Sequence, residues 1–190
     1  MHFNFPLALT WLRIVVIPLF LLLYFVPHQW LAEPIRDCIA AVIFILAAVT
    51  DWLDGWLARR WKQTTAFGAF LDPVADKLMV TAALLILLYL GRIDPVVSFI
   101  IIGREITISA LREWMAKLGA SGSVAVHWLG KFKTAAQMIS IPCLLYAQPL
   151  YDVPLFLIGK VLIVVAAILT LWSMFYYLRK AWPELVKKGV

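Results

Sequence analysis

Charge is scarce in this chain. Only 15% of its 190 residues are Asp, Glu, Lys or Arg, against about a quarter in a soluble domain, so a solvated globular surface is excluded. Cysteine is scarcer still. Cys38 and Cys143 are the only two. Each sits in or beside an apolar run with no metal-type neighbour, which excludes a disulfide scaffold and a thiolate site and leaves two small hydrophobes. Histidine occurs three times, as His2, His28 and His127, and no pair has the spacing of a ligand set. Long polar connections are missing too. No break between apolar segments could hold a second domain, and no repeat or low-complexity segment occurs. The net charge of +6 is spread over short breaks, not gathered into the basic domain that nucleic acid would need.

What the chain has is apolar length. Hydrophobic residues make up 64% of it, and the mean hydropathy is +0.91. Six apolar runs cover 6–26, 35–57, 67–90, 96–118, 124–147 and 153–178, separated by breaks such as "PHQWLAEP", "RRWKQTTA" and "GRIDP". A hydrocarbon core of ~30 Å takes about 20 apolar residues of helix per crossing. The expectation is an all-α polytopic membrane protein: six transmembrane helices in a single domain, 1–190. The first run lacks a basic lead and contains Arg13, so it reads as a retained span and not as a signal peptide. Nine Trp, among them Trp11, Trp30, Trp61 and Trp182, mostly flank the runs, as interfacial belts do. Pro18 and Pro142 lie inside runs, where kinks are expected.

Lys and Arg set the orientation. Arg59, Arg60, Lys62, Arg112, Lys117, Lys131, Lys133, Arg179, Lys180, Lys187 and Lys188 fall on one side of the alternating spans. Arg36 and Arg92 fall on the other, with Lys160 nearby. Both termini are therefore expected on the cytoplasmic side, with "RKAWPELVKKGV" as a basic tail on anionic lipid. Asp37, Asp94 and Asp152 are expected in outer connections.

One stretch breaks the apolar pattern. "DWLDGWLARRWKQTTAFGAFLDPVADK", residues 51–77, carries four aspartates between two apolar runs. Asp51 and Asp54 are three apart, Asp72 and Asp76 four apart, so each pair shares a helix face. A tight loop makes spans two and three antiparallel neighbours, and the two faces can converge on one pocket at the membrane's inner edge. Four carboxylates cannot all stay ionised there without cations. Lys77 and Arg59 could offset part of the charge. Hard divalent ions, Mg²⁺ or Mn²⁺, match carboxylate oxygens better, and four carboxylates point to two ions, a recurrent phosphoryl-transfer device. Gly55 and Ala58 leave the helix face bare for a ligand, and Gly68 opens the other face one turn before Asp72. Helix packing is the competing reading of such small residues.

The spacing Asp51-x2-Asp54-Gly55-x2-Ala58-Arg59-x8-Gly68-x3-Asp72-x3-Asp76 resembles the signature of the CDP-alcohol phosphotransferase family at every position. The resemblance implies six transmembrane helices, a homodimer and a di-metal site that moves a phosphatidyl-type group from a CDP-linked donor to an alcohol, releasing CMP. It implies that Asp51, Asp54, Asp72 and Asp76 hold the metals and that Asp76 is the general base. Gly55 and Arg59 would contact the cytidine diphosphate, with Ala58 and Gly68 giving room. Thr10 and Arg13, in "FNFPLALTWLR", would touch the donor's phosphates; for Arg13 a snorkelling anchor is the competing reading.

The acceptor is read from charges at the same level. Arg104 and Arg112 in "GREITISALREWMAKLG" are eight apart, on roughly one face of span four. Lys131 and Lys133 open span five, and being two apart they point in different directions. An intramembrane Arg is a functional candidate by default, with pairing to Glu105 as the plain alternative. Several cations beside an acidic site suggest an anionic acceptor, and Arg suits phosphate. Most of the chain, including "FGAFLDPVADK", "SVAVHWLGKFKT" and "LTLWSMFYY", resembles the bacterial, inner-membrane branch of the family that joins CDP-diacylglycerol to sn-glycerol 3-phosphate. Other acceptors (serine, inositol phosphate, phosphatidylglycerol), a divalent-cation transporter and a non-catalytic lipid-binding relative are the competing readings. Carboxylates gathered at one membrane face argue against the transporter, and retention of all four aspartates argues against the non-catalytic relative.

Overall fold

The computed structural model describes residues 5–61, 66–117 and 128–188. Among them lie six helices: α1 (Phe5–Leu22), α2 (Glu33–Trp61), α3 (Ala66–Tyr89), α4 (Pro95–Lys117), α5 (Trp128–Tyr146) and α6 (Leu155–Lys188). The all-helical expectation is met, with one helix for each apolar run. His2 and His127 lie outside the described residues.

The breaks do what their residues dictate. After α3, Gly91 adopts φ +66°. Its N–H bonds the Leu88 carbonyl at 3.0 Å, and the Arg92 N–H bonds the Leu87 carbonyl at 2.9 Å. That is a Schellman stop, which satisfies carbonyls the helix end would leave bare. The Asp94 carboxylate then caps the next helix by accepting the Val96 N–H at 2.8 Å, and Pro95 takes the first helical position, where no N–H is needed. Between α5 and α6, Tyr151 and Asp152 both have positive φ, closing a tight two-residue turn from Leu150 to Val153.

Two boundaries differ from the expectation. At about 1.5 Å per residue, the 34 residues of α6 extend roughly 50 Å, so the basic tail continues the last helix and does not form a separate segment. Asp37 is not in an outer connection. The helix start at Glu33 and Pro34 puts it on α2, where it is buried. It pairs there with Arg92 and faces Arg36, while Arg92 also donates to the carbonyls of Leu144 (3.2 Å) and Leu145 (2.6 Å) near the end of α5. The end of the bundle that carries Arg92 thus holds a buried acid, paired where it stands.

The helices pack as a ring in the order α1–α2–α5–α6–α4–α3, with α3 also touching α2 and α5 across the middle. Short breaks between consecutive helices, such as 90–94 between α3 and α4, make those neighbours antiparallel. The main apolar core runs through the ring and includes Phe20, Phe44, Leu84, Leu87, Ile101 and Leu144. A second small cluster, Ile108, Leu111, Met115 and Tyr177, joins α4 to α6.

The outside of the ring is oily. Ile45, Leu46, Leu78, Leu85, Phe99, Ile106, Ile139 and Ile168 are all exposed, a surface that would drive association in water. Ala8–Phe25 and Leu155–Arg179 are long and apolar enough to cross a membrane by length and composition.

The closest helix pair, α5 and α6, depends on a missing side chain. A Cβ at Gly159 would stand 2.8 Å from Leu144 Cγ and 3.1 Å from Cys143 Cβ, and the Ser140 hydroxyl donates to the Gly159 carbonyl at 2.7 Å. Small residues that let backbones approach are how helices associate where lipid removes the hydrophobic drive. Gly159→Ala is expected to destabilise the fold by about 1–3 kcal/mol. A lowered unfolding midpoint in detergent checks this, and an unchanged midpoint would show that α6 can shift freely.

Candidate active site

Asp51, Asp72 and Asp76 of the 51–77 stretch meet at one end of the ring, but α1 mediates the meeting. Thr10 and Arg13 lie three apart on α1, on one face, and both are buried. The Thr10 hydroxyl donates to Asp72 Oδ1 at 2.5 Å, and Arg13 pairs with Asp51. Helix α1 packs against α2 and α3 more extensively than those two pack on each other. The expected direct convergence of two carboxylate faces is therefore a convergence around α1. Arg13 points inward, so it is no snorkelling anchor.

Asp76 follows Asp72 by one turn. It is in electrostatic reach of Asp51 and Arg13 on one side and of Glu105 and Lys77 on the other. Pro73, between the two aspartates, lies inside α3 and removes one rung of its hydrogen-bond ladder. Gly68 lies on α3, one turn before Asp72. Asp54, Gly55, Ala58 and Arg59 lie on α2, and Lys131 lies on α5; their side chains are outside those described.

Beside Asp76 opens a cleft of about 230 Å³, walled by α3, α4, α5 and α6. Its charged lining is Asp76, Lys77, Arg104, Glu105, Arg112 and Lys133. The structure thus brings three of the four acceptor candidates together. Arg104 is buried and Arg112 exposed, so the cationic wall runs from the interior to the mouth. Glu105 organises the deep part. It pairs with the buried Lys133 and with Arg104 at 3.2 Å. The plain alternative for Arg104 is therefore realised alongside its place in the cleft. Lys77 donates to the Ser109 hydroxyl at 2.5 Å, which donates in turn to the Glu105 carbonyl.

Sequence reasoning missed what α6 supplies. Ser173 accepts from Arg104 at 3.4 Å, and the Tyr177 ring lies under both Arg104 and Arg112. The available signal was spacing: Thr170, Ser173 and Tyr177 recur every three or four residues in an otherwise apolar helix, which marks one buried polar stripe. Gln137 and Thr134 on α5 complete the wall.

The donor chemistry fits a hard divalent ion. Asp51 on α2 and Asp72 and Asp76 on α3 offer carboxylate oxygens from adjoining helices. Among the described residues no three acidic, histidine or cysteine side chains stand as a preformed metal cluster; the fourth candidate, Asp54, is not among the described side chains.

The profile of the CDP-alcohol phosphatidyltransferase family matches residues 3–172. The chain belongs to this family, whose members generally depend on a divalent metal, and is a membrane-associated transferase of phospholipid synthesis. It is 50% identical over 189 residues to a protein of Yersinia pestis (strain Pestoides F), covering 98% of this chain and 100% of that one. A Pectobacterium atrosepticum protein matches at 50% over the same shares, and one from Shigella flexneri serotype 5b at 48%, covering 98% and 99%. All three are named CDP-diacylglycerol–glycerol-3-phosphate 3-phosphatidyltransferase.

The Glu105 pairs make a stability prediction. Lys133→Met leaves the half-buried Glu105 with Arg104 as its remaining ion-pair partner, a loss expected to cost about 1–3 kcal/mol. Lys133→Met with Glu105→Gln is expected to recover part of that loss. Equal unfolding midpoints for the single and double variants would show that the pair is not coupled.

Proposed function

We propose that this chain transfers the phosphatidyl group of CDP-diacylglycerol to sn-glycerol 3-phosphate, giving phosphatidylglycerol phosphate and CMP. The observation that carries the acceptor is the charge of the cleft. Four cations, Lys77, Arg104, Arg112 and Lys133, stand against two carboxylates, Asp76 and Glu105. The surplus of two matches a phosphate monoester, which carries about −1.5 to −2 at neutral pH. Serine or a neutral alcohol would leave that surplus unmet.

The cations draw the acceptor's phosphate into the cleft, and its free hydroxyl is thereby directed at Asp76, which lines the same space. Asp76 takes the hydroxyl proton as the oxygen attacks the donor's phosphatidyl phosphorus. A new P–O bond forms there, the P–O bond to CMP breaks, and CMP leaves with the electron pair. Two ions of Mg²⁺ or Mn²⁺, held by Asp51, Asp54, Asp72 and Asp76, would supply charge neutralisation for the pyrophosphate and the departing CMP. Thr10 and Arg13 hold Asp72 and Asp51 in position and lie where the donor's phosphates would pass. Gly55, Ala58, Arg59 and Gly68 are assigned to the cytidine diphosphate on the signature. An apolar groove of about 270 Å³ between α1 and α2, walled by Leu9, Leu12, Val16, Ile43 and Leu46 and reaching Arg13, has the lining to take an acyl chain of the same lipid. Six crossings are taken from the six apolar runs, cytoplasmic termini and a cytoplasmic site from the Lys and Arg bias, and the bacterial inner membrane and a homodimer from the family resemblance.

The deciding assay follows CMP release from CDP-diacylglycerol by detergent-purified protein in Mg²⁺. Release is expected with sn-glycerol 3-phosphate, not with serine, inositol phosphate or phosphatidylglycerol, and is expected to stop on chelation. Release with a different acceptor would discard this substrate, and none with any acceptor would discard the transferase reading. Asp76→Asn is expected to lower kcat by about 10²–10⁴ with donor binding intact; full activity would remove Asp76 from the base role. Arg104→Ala is expected to raise the acceptor KM by about tenfold or more and to leave the donor KM unchanged.

A further inference from the structure

We propose that Tyr177 is a positioning residue for the acceptor's phosphate, because its ring holds Arg104 and Arg112 as a pair on the wall of the cleft. The inference rests on reading that cleft as the acceptor site. The two arginines come from the same face of α4, eight residues apart, and carry like charge; Glu105 on α4 pairs with Arg104, and that pair does not by itself bring the two guanidinium groups toward one point. The ring comes from α6. Its centroid is 5.9 Å from the guanidinium carbon of Arg104 and 5.9 Å from that of Arg112, within the ~6 Å over which an aromatic face attracts a cation.

Tyr177 is 1% exposed and packed among Ile108, Leu111 and Met115, so its ring is fixed. The two arginines are not equivalent without it. Arg104 is buried and also meets Glu105 and Ser173. Arg112 is exposed at the mouth, and its long side chain has many rotamers to lose. A rigid ring shared by both fixes the spacing of two forked donors, which suits the bidentate grip that arginine makes on phosphate oxygens. One ring thus does for two cations what two further carboxylates could do, without cancelling the positive surplus that attracts the substrate.

The test replaces Tyr177 with phenylalanine and then with phenylalanines bearing one, two and three ring fluorines. Shape changes little along this series while the ring's attraction for cations falls. The acceptor KM is expected to stay within about twofold in Tyr177→Phe, to climb with each fluorine, and to reach about tenfold in Tyr177→Leu. The donor KM is expected to stay constant throughout. An acceptor KM that is flat across the fluorinated series overturns the proposal, and since every member keeps an aromatic ring in the apolar pocket, that outcome does not depend on whether Tyr177→Leu folds. If Arg104→Ala raises the acceptor KM while the series is flat, the cleft stands and only the role of Tyr177 falls. If both are flat, the reading of the cleft falls as well.

Discussion

A charged side chain inside an apolar bundle must find its opposite within the bundle, and this molecule is arranged around that requirement. Isolated charge in a low-dielectric interior is very costly. Each buried cation among the described residues accordingly has a partner on another helix or on its own: Arg13 with Asp51, Arg36 with Asp37, Lys133 and Arg104 with Glu105; the half-buried Arg92 pairs with Asp37 as well. Because most partners come from different helices, charge balance and helix arrangement are one problem. Helix α1 sits between α2 and α3 for the reason that its Thr10 and Arg13 have counterparts on both.

The two poles of the site are joined by one residue. On the α1 side, carboxylates outnumber cations, which suits divalent ions and a pyrophosphate. On the α4–α5 side, cations outnumber carboxylates, which suits a phosphorylated alcohol. Asp76 belongs to both, since it feels Asp51 and Arg13 on one side and lines the cationic cleft on the other. A base that must take a proton from one substrate while that substrate attacks the other has to stand at such a junction. Lys77, the next residue, turns toward Ser109 and ties α3 to α4, so the junction is held on a rigid element.

Much of this was legible in the sequence because its signals are local. Apolar runs of helical length, a Gly-Arg-Ile-Asp-Pro stop and start, and carboxylates three and four apart all declare themselves within a few residues. What was not legible is which helix lies beside which. The loop between α2 and α3 is short, so direct pairing of those two was the natural expectation, yet the Arg13 and Thr10 contacts bring α1 between them over separations of tens of residues. Asp37 was misplaced because an acid after a proline-containing break reads as a connection until its partner Arg92, far along the chain, is known. Tyr177 was passed over because a lone aromatic in an apolar helix says nothing until α4 is seen against it.

The two ends of the ring then differ in a way that follows from charge alone. At the end remote from Asp76, Arg92 meets Asp37 and two carbonyls of α5 and so clamps α2, α5 and the end of α3. Ion pairs of this kind add little net stability, because desolvation offsets attraction, but a partner lost is expensive, so they fix register. Gly159 and Ser140 fix the α5–α6 approach between the ends. With register set there, the opposite end can leave its cations only partly neutralised without letting the helices slide. An incompletely balanced cluster on a rigid frame is what a charged substrate needs to meet, since the protein then has little to rearrange on binding. The bundle is thus pinned at one end so that it can stay open at the other.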